Sequence, residues 1–331
     1  MKKRIIKRKA VPLVKDIGLP TDYKIREDGI TQSMLSSFPI CRQRFLFVVN
    51  RWISIDGQKF PVFGNFGHDI MEFAYKRGKS PGSKLLRRWV DKIENEYLEK
   101  IEKDNLGMDP EMIAKQADIA EVVFSEYFKY YTDDQTKFKF EAVEGVFDVD
   151  FKGFRIRGKK DGKFAFGKKR KLSLMEHKTK GRIETDILEG VLNFDFQNLF
   201  YITADDHEAK LKGRIQELNQ VLYNIIRNPG YRQNKTETWP QYLERIRNKI
   251  QDDPEHFYIR YECPYTEPVK KRFAQELYEK LCEAEAFLEG WLPLYKNEGA
   301  CKMPFKCQYL DACASGNMVG YIQQPHWFPE L

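Results

Sequence analysis

Glu176 and Lys178 stand two residues apart in SLMEHKTKG, residues 173–181, a stretch that reads as a buried β-strand running into a charged end. Side chains two apart on a strand share a face, so the carboxylate and the ammonium point at one site and His177 between them points away. Asp161 lies upstream in IRGKKDGKF, where a strand is expected to meet an Asp161-Gly162 turn. If the two strands are antiparallel neighbours, Asp161 and Glu176 converge on one point. Two carboxylates held together repel unless a cation sits between them. Hard oxygen donors suit Mg²⁺ or Mn²⁺. A lysine beside such a pair can hold an attacking water, or stabilise charge growing on a phosphate, while the metal acts as Lewis acid. That is the chemistry of phosphodiester hydrolysis. The bland alternative is an ordinary surface ion pair, because an acid and a lysine two apart are common.

Two further constellations favour the sharper reading. Gln197 and Tyr201 are four apart on the next expected helix and so share a face. Amphipathicity accounts well for Tyr201 but poorly for Gln197 within the apolar run NFDFQNLFYI. His68 follows a glycine-rich turn in FGNFGHDIMEFAYKRG, at the start of an expected helix, where it can supply one more metal ligand. Taken alone, a lone histidine is more often a structural contact.

The surrounding elements follow from periodicity. Thr31 or Ser33 caps a short helix ahead of Pro39 and Cys41. SKLLRRWVDKIENEYLEKIEKD and EMIAKQADIAEVVFSEYFKYY read as amphipathic helices. KFEAVEGVFDVDFKGFRIRGKKDGKFAF alternates apolar and polar residues, and reads as a three-strand meander turning at Lys152-Gly153 and Asp161-Gly162. A basic turn, GKKRK, then leads to the strand of the opening pair. TDILEGVLNFDFQNLFYITADDH reads as one long apolar helix. GRIQELNQVLYNIIRNPG, WPQYLERIRNKIQDD and EPVKKRFAQELYEKLCEAEAFLEGWLPLYKN read as helices, with HFYIRYECPY as one more strand. Helices, a small sheet, then helices again predict an α/β or α+β chain.

At 331 residues and 42% hydrophobic content the chain is globular. No apolar run approaches the roughly 20 residues that span a bilayer. The basic N-terminus lacks the apolar core of a signal peptide, which predicts a cytoplasmic protein. The net charge of +7 is misleading, because MKKRIIKRK alone carries six basic residues and no acid. Without it the body is nearly neutral. The expected organisation is a basic tail over 1–20, which touches nucleic acid or is merely a solvated end. One domain over 21–331 follows, with a helical insertion at about 80–135 and a helical, cysteine-bearing C-terminal region at about 265–331. Of the six cysteines, Cys41 stands alone near the start and Cys301, Cys307 and Cys313 cluster near the end. Cys263 reads as strand packing and Cys282 as helix core.

The order of these pieces resembles the RecB-type branch of the PD-(D/E)XK nuclease superfamily. That branch has a GxxxH element, then GxxD, then (D/E)xK, then QxxxY. They stand here as GNFGH with His68, GKKD with Asp161, EHK with Glu176 and Lys178, and QNLFY with Gln197 and Tyr201. The resemblance extends over about 33–313. It implies a restriction-endonuclease-like core, a small mixed central sheet flanked by helices, and metal-dependent cleavage of DNA, usually from an end. By the same resemblance Asp161, Glu176, the backbone carbonyl of His177, and His68 bind Mg²⁺ or Mn²⁺. Lys178 is the catalytic lysine, Gln197 and Tyr201 support it, and Glu144 is an auxiliary acid.

The cysteine pattern is similar to that of the iron–sulfur relatives found in CRISPR adaptation, AddB and phage recombination. They place one cysteine before the nuclease core and three after it. By resemblance, Cys41, Cys301, Cys307 and Cys313 hold a 4Fe–4S cluster joining the helical N- and C-terminal segments. Four thiolates suit Zn²⁺ equally, and the five-residue gaps on both sides of Cys307 depart from the usual shorter first gap. The stand-alone form, with no Walker motif, suggests by analogy a viral or accessory recombination or repair nuclease, in the host cytoplasm if phage-encoded. Its expected partners are DNA, single-stranded or end-containing duplex, and a helicase or recombinase. The alternatives are a structure-specific endonuclease of the same fold, a non-catalytic DNA-binding module, and a zinc-stabilised structural protein.

Overall fold

A computed structural model of the chain describes residues 22–55, 62–104, 108–167, 171–181, 185–214, 218–302, 306–328 and 331. The basic tail over 1–20 and the centre of the basic turn, 168–170, lie outside the described residues. The strands are β1 (Ile30–Thr31), β2 (Trp52–Ser54), β3 (Phe138–Phe151), β4 (Phe154–Phe166), β5 (Lys171–Lys180), β6 (Gln220–Arg227), β7 (Tyr258–Pro264) and β8 (Tyr321–Gln323). The architecture is mixed α/β, a central mixed sheet flanked by helices, in keeping with a restriction-endonuclease-like fold. The chain divides into two compact units. One takes in Met1–Gly57, Asp148–Gly158 and Lys271–Leu331; the other takes in Gln58–Phe147 and Lys159–Lys270.

The second unit carries the sheet that matters for chemistry. β4 pairs with β3 and runs antiparallel to β5, β5 runs parallel to β6, and β6 runs antiparallel to β7. Helix Val62–Arg77 packs on β5 and on helix Pro110–Tyr130, which also meets Ser83–Asp104 and Trp239–Asp252. Pro110–Tyr130 forms where its apolar residues recur at helical spacing. Asp109 caps it by accepting the Glu111 N–H at 3.0 Å, Pro110 opens it, and Ile113, Ala117, Ala120, Phe124 and Phe128 are buried.

In the first unit, β1 pairs parallel with β4 at Ile30↔Ile156, and β2 pairs antiparallel with β8. Thr31, one of the two expected caps, accepts the Met34 N–H of helix Gln32–Ile40. Early and late segments of the chain meet through aromatic contacts. Phe47 stacks on Tyr309 at 4.8 Å, and the Trp327 indole N–H donates to the Val49 carbonyl at 2.7 Å.

Four expectations are corrected. The Asp161-Gly162 turn does not exist: β4 runs straight through it, so two long strands replace the three-strand meander. Gly162 serves close approach instead, since a Cβ there would lie 2.8 Å from the Phe140 ring. The Lys152-Gly153 turn is present, with both residues in the left-handed region (φ 54° and 84°), as a tight hairpin requires. The long apolar helix is two helices, Thr185–Leu192 and Phe196–Leu211, because Asp195 caps the second by accepting the Asn198 N–H at 2.9 Å. The run VLYNII is β6, not helix; it is parallel to β5 and buried on both faces, so it shows no alternation to read. Finally, helix Val62–Arg77 starts before its glycines rather than after them.

Candidate active site

The helix that carries His68 comes unusually close to β5, and its two glycines permit this. A Cβ at Gly64 would lie 2.9 Å from Thr179 Oγ1, and one at Gly67 would lie 3.0 Å from the Phe124 ring and 3.1 Å from Thr179 Cγ2. Phe124 is fully buried and cannot yield. Gly67→Val is therefore expected to cost about 1–3 kcal/mol by overpacking and to displace His68, read as a lower unfolding midpoint together with weaker Mn²⁺ binding. Unchanged values for both would show that the close approach is dispensable.

Across the sheet, Gly162 on β4 lies opposite Met175 on β5. That register brings Asp161 beside Glu176. Asp161 Oδ2 accepts the His177 main-chain N–H at 2.7 Å and lies 3.7 Å from His68 Nδ1. Lys178 and Glu176 form an ion pair, but not a surface one, since Glu176 is only 2% exposed. Lys178 Nζ also donates to Gln197 Oε1 at 2.8 Å. Gln197 Nε2 donates to Glu176 Oε1 at 2.8 Å and to the Tyr201 hydroxyl at 3.2 Å. Both amide hydrogens of Gln197 are thus used, which fixes its oxygen toward the lysine. The structure therefore gathers His68, Asp161, Glu176, Lys178, Gln197 and Tyr201, and the main chain of His177, in the second unit.

Glu144 belongs with them. One ligand atom from each of His68, Glu144 and Asp161 lies within 4.8 Å of the others, and Lys159 Nζ is 2.6 Å from Glu144. Glu144 sits at φ 52°, a left-handed conformation rare for glutamate, just before Gly145. This local kink breaks the alternation of β3. Glu144 is expected only through the family resemblance; the Glu-Gly pair inside an alternating run is the local signal that marks the kink.

The electrostatics suit a cation. Burial, then the charge of Glu144, raises the Asp161 carboxyl well above the ordinary carboxylate range. Burial, then the charge of Asp161, does the same to Glu176, against the pull of Lys178. Asp69, next to His68 on helix Val62–Arg77, is pushed up to about 6 by burial and by Glu72 and Glu144. Burial lowers the His68 imidazole, which favours the neutral, ligating form. For Lys178, burial works against the charge, but Glu176 outweighs it and the ammonium is held.

Among protein families, the PD-(D/E)XK nuclease superfamily matches residues 30–314. The chain belongs to that superfamily. No curated protein matches it. Membership in the PD-(D/E)XK nucleases carries metal-dependent phosphodiester hydrolysis with it. The donors present fit a divalent metal: a neutral imidazole, and carboxylates whose ionised forms are costly without a cation.

The cysteines of this nuclease lie outside the site. None of the six is in a disulfide. Cys41 Sγ accepts the Asn297 N–H at 3.4 Å, and Cys301 Sγ faces the Asn297 carbonyl at 3.7 Å. Cys307 and Cys313 pack on the Phe47, Tyr309 and Ala312 cluster. Burial raises the Cys313 thiol against the pull of Lys296, and Cys41 and Cys301 add to the rise. These four belong to the first unit. Cys263 is buried in β7, and Cys282 is half-buried in helix Glu267–Leu288.

Proposed function

We propose that the chain is a metal-dependent DNA exonuclease of the RecB type, acting in viral or accessory recombination or repair. The observation that carries the reading is the relay Tyr201–Gln197–Lys178–Glu176 set beside Asp161. A salt bridge alone needs neither a glutamine locked by three hydrogen bonds nor a second buried carboxylate.

In this reading His68, Glu144, Asp161 and Glu176, with the carbonyl of His177, hold one or more divalent ions. When bound, such an ion lowers the pKa of a coordinated water and withdraws charge from the phosphate. The chain's own residues do the rest. Among the described residues, the hydrogen bonds to Glu176 fall on Oε1, so Oε2 is the oxygen left for a cation. Lys178 spends two of its three N–H donors on Glu176 and Gln197, and the third reaches the attacking water or a nonbridging phosphate oxygen. Gln197 and Tyr201 keep that ammonium from collapsing onto the carboxylate alone.

Cys41 and Cys301 share Asn297, Cys307 and Cys313 share the Phe47 cluster, and the Cys307 N–H donates to the Cys301 carbonyl at 2.9 Å, all in one unit. This supports the second part of the proposal, a 4Fe–4S cluster at Cys41, Cys301, Cys307 and Cys313. Zn²⁺ is the alternative occupant. Anaerobically purified protein is expected to be brown, absorbing near roughly 400 nm, whereas d¹⁰ zinc is colourless. Cys307→Ser is expected to lose colour and solubility before it loses chemistry. A colourless wild type containing zinc would replace the cluster, and a soluble, active Cys307→Ser protein would remove its structural role.

The function is tested with end-labelled linear DNA, single- and double-stranded, beside closed circular DNA, in Mn²⁺ or Mg²⁺. Loss of linear DNA alone is the expected result. Cutting of circles would make the protein an endonuclease of the same fold. Binding without cutting in any lane would make it a DNA-binding module, and a helicase or recombinase partner would then have to be sought through that binding.

A further inference from the structure

The side chain of His177 is the one group of the Glu-His-Lys triplet without a role so far, and the structure gives it a built environment on the sheet face opposite Glu176 and Lys178. It is 4% exposed. In the sheet register His177 on β5 lies opposite Asn224 on β6, and Asn224 lies opposite Arg260 on β7. The three side chains therefore form one row across adjacent strands. Asn224 Nδ2 lies 2.9 Å from His177 Nδ1, and Arg260 Nε donates to Asn224 Oδ1 at 3.2 Å. Arg260 is in turn held by both carboxylate oxygens of Asp134, Nη1 to Oδ1 at 2.6 Å, and by the Tyr127 hydroxyl at 2.7 Å. The Tyr75 ring lies nearly parallel to the imidazole at 5.5 Å and 14°, and its hydroxyl reaches Asp134 Oδ2 at 3.4 Å. The contacts close into a circuit. Tyr75 sits seven residues after His68 on one helix, so the same circuit touches the helix that supplies His68.

The donor inventory fixes the protons. Arginine only donates, so the Asn224 oxygen must face Arg260 and its NH₂ must face His177. The imidazole Nδ1 is then an acceptor, and the ring proton sits on Nε2, which has no hydrogen-bond partner among the described residues. With its ring clamped this way, His177 cannot rotate its main chain freely, and that main chain is what donates to Asp161 at 2.7 Å.

We propose that Asn224 and Arg260, anchored on Asp134, are positioning residues of the nuclease centre: they lock His177 in its Nε2–H tautomer and so hold Asp161 where it must ligate. This rests on the nuclease reading for its consequence, but its test does not use DNA. The full chain has five histidines, so ¹⁵N-labelled imidazoles can be assigned by single substitutions. The wild type should show an unprotonated Nδ1 and a protonated Nε2 at His177. Asn224→Asp puts an acceptor in place of the donor and should move the proton to Nδ1. Mn²⁺ binding, followed by electron paramagnetic resonance, should weaken about tenfold or more, the cost usual for losing an outer support of a metal ligand. Should Asn224→Asp fail to fold, Arg260→Lys keeps the charge facing Asp134 but loses the donor fork toward Asn224, and the same loss of Mn²⁺ affinity is expected. A proton on Nδ1 in the wild type would overturn the proposal. So would wild-type Mn²⁺ affinity in a folded Asn224→Asp or Arg260→Lys protein. A wild type that binds Mn²⁺ but leaves DNA intact would count against the nuclease reading alone.

Discussion

Lys178→Ala is expected to lower the rate of DNA cleavage by at least ~10³-fold, about 4 kcal/mol of transition-state stabilisation, with little loss of fold. The size follows from position. Lys178 is the cation of the relay, fixed by Glu176 and by Gln197 at 2.8 Å, and it adjoins the buried acids. The folding effect is small because its side chain is still 30% exposed and sits near the end of β5, outside the apolar core. Removing it does strand Glu176, whose carboxyl then loses the ammonium that opposes burial and so titrates still higher. Part of the loss should therefore appear as weaker metal binding at neutral pH, recovering as the pH rises. Lys178→Arg should not rescue, because a planar fork cannot reproduce a point charge held between two side chains. Single-turnover cleavage across pH, with circular dichroism as the folding control, decides it. A Lys178→Ala protein that cuts DNA within tenfold of wild type would remove the lysine from the mechanism.

What could be read from the sequence was what depends on near neighbours. Glu176 and Lys178 share a face because strands repeat every two residues, and Gln197 and Tyr201 share one because helices return after four. Both follow from spacing alone. The amphipathic periods of Ser83–Asp104 and Pro110–Tyr130 were equally local. The errors came where a distant residue sets the local choice. Gly162 looked like a turn because the reason for it, the Phe140 ring on another strand, is not in its neighbourhood. β6 looked helical because a parallel strand covered on both faces has no alternation to show. Gly64 and Gly67 looked like a loop because their purpose is contact with Thr179, more than a hundred positions away. Glu144 and the Asn224–Arg260 row have the same character. Each matters only once the strands are placed side by side.

Asp161→Asn separates stability from function most sharply. The substitution keeps the shape and an oxygen that can accept the His177 N–H, now made at 2.7 Å. It removes a carboxylate that burial and Glu144 make hard to ionise. It also relieves Glu176, whose own carboxyl is raised by burial and by Asp161. Cleavage should vanish and Mn²⁺ binding should fall steeply. The metal-free variant should nonetheless be the more stable protein at pH 8. The sign follows from proton binding. A carboxyl with a raised folded pKa holds its proton more tightly when native than when unfolded. Stability of the wild type therefore falls as pH climbs from about 4, the unfolded value, through the folded value of about 7, and stays lower above it. The neutral amide of the Asp161→Asn variant carries no such penalty. The two unfolding curves should meet near pH 4 and part by a few degrees at pH 8, on the scale of about 1–3 kcal/mol. Adding Mn²⁺ should reverse the order, because only the wild type gains stability from binding it. Thermal unfolding at one scan rate, with chelator and then with Mn²⁺, reads all of this in a single series. A variant less stable than wild type at pH 8 without metal would mean that the ionised Asp161–His177 hydrogen bond outweighs the cost of burying the charge. The centre would then be preorganised by that bond, and not held under tension until a cation arrives.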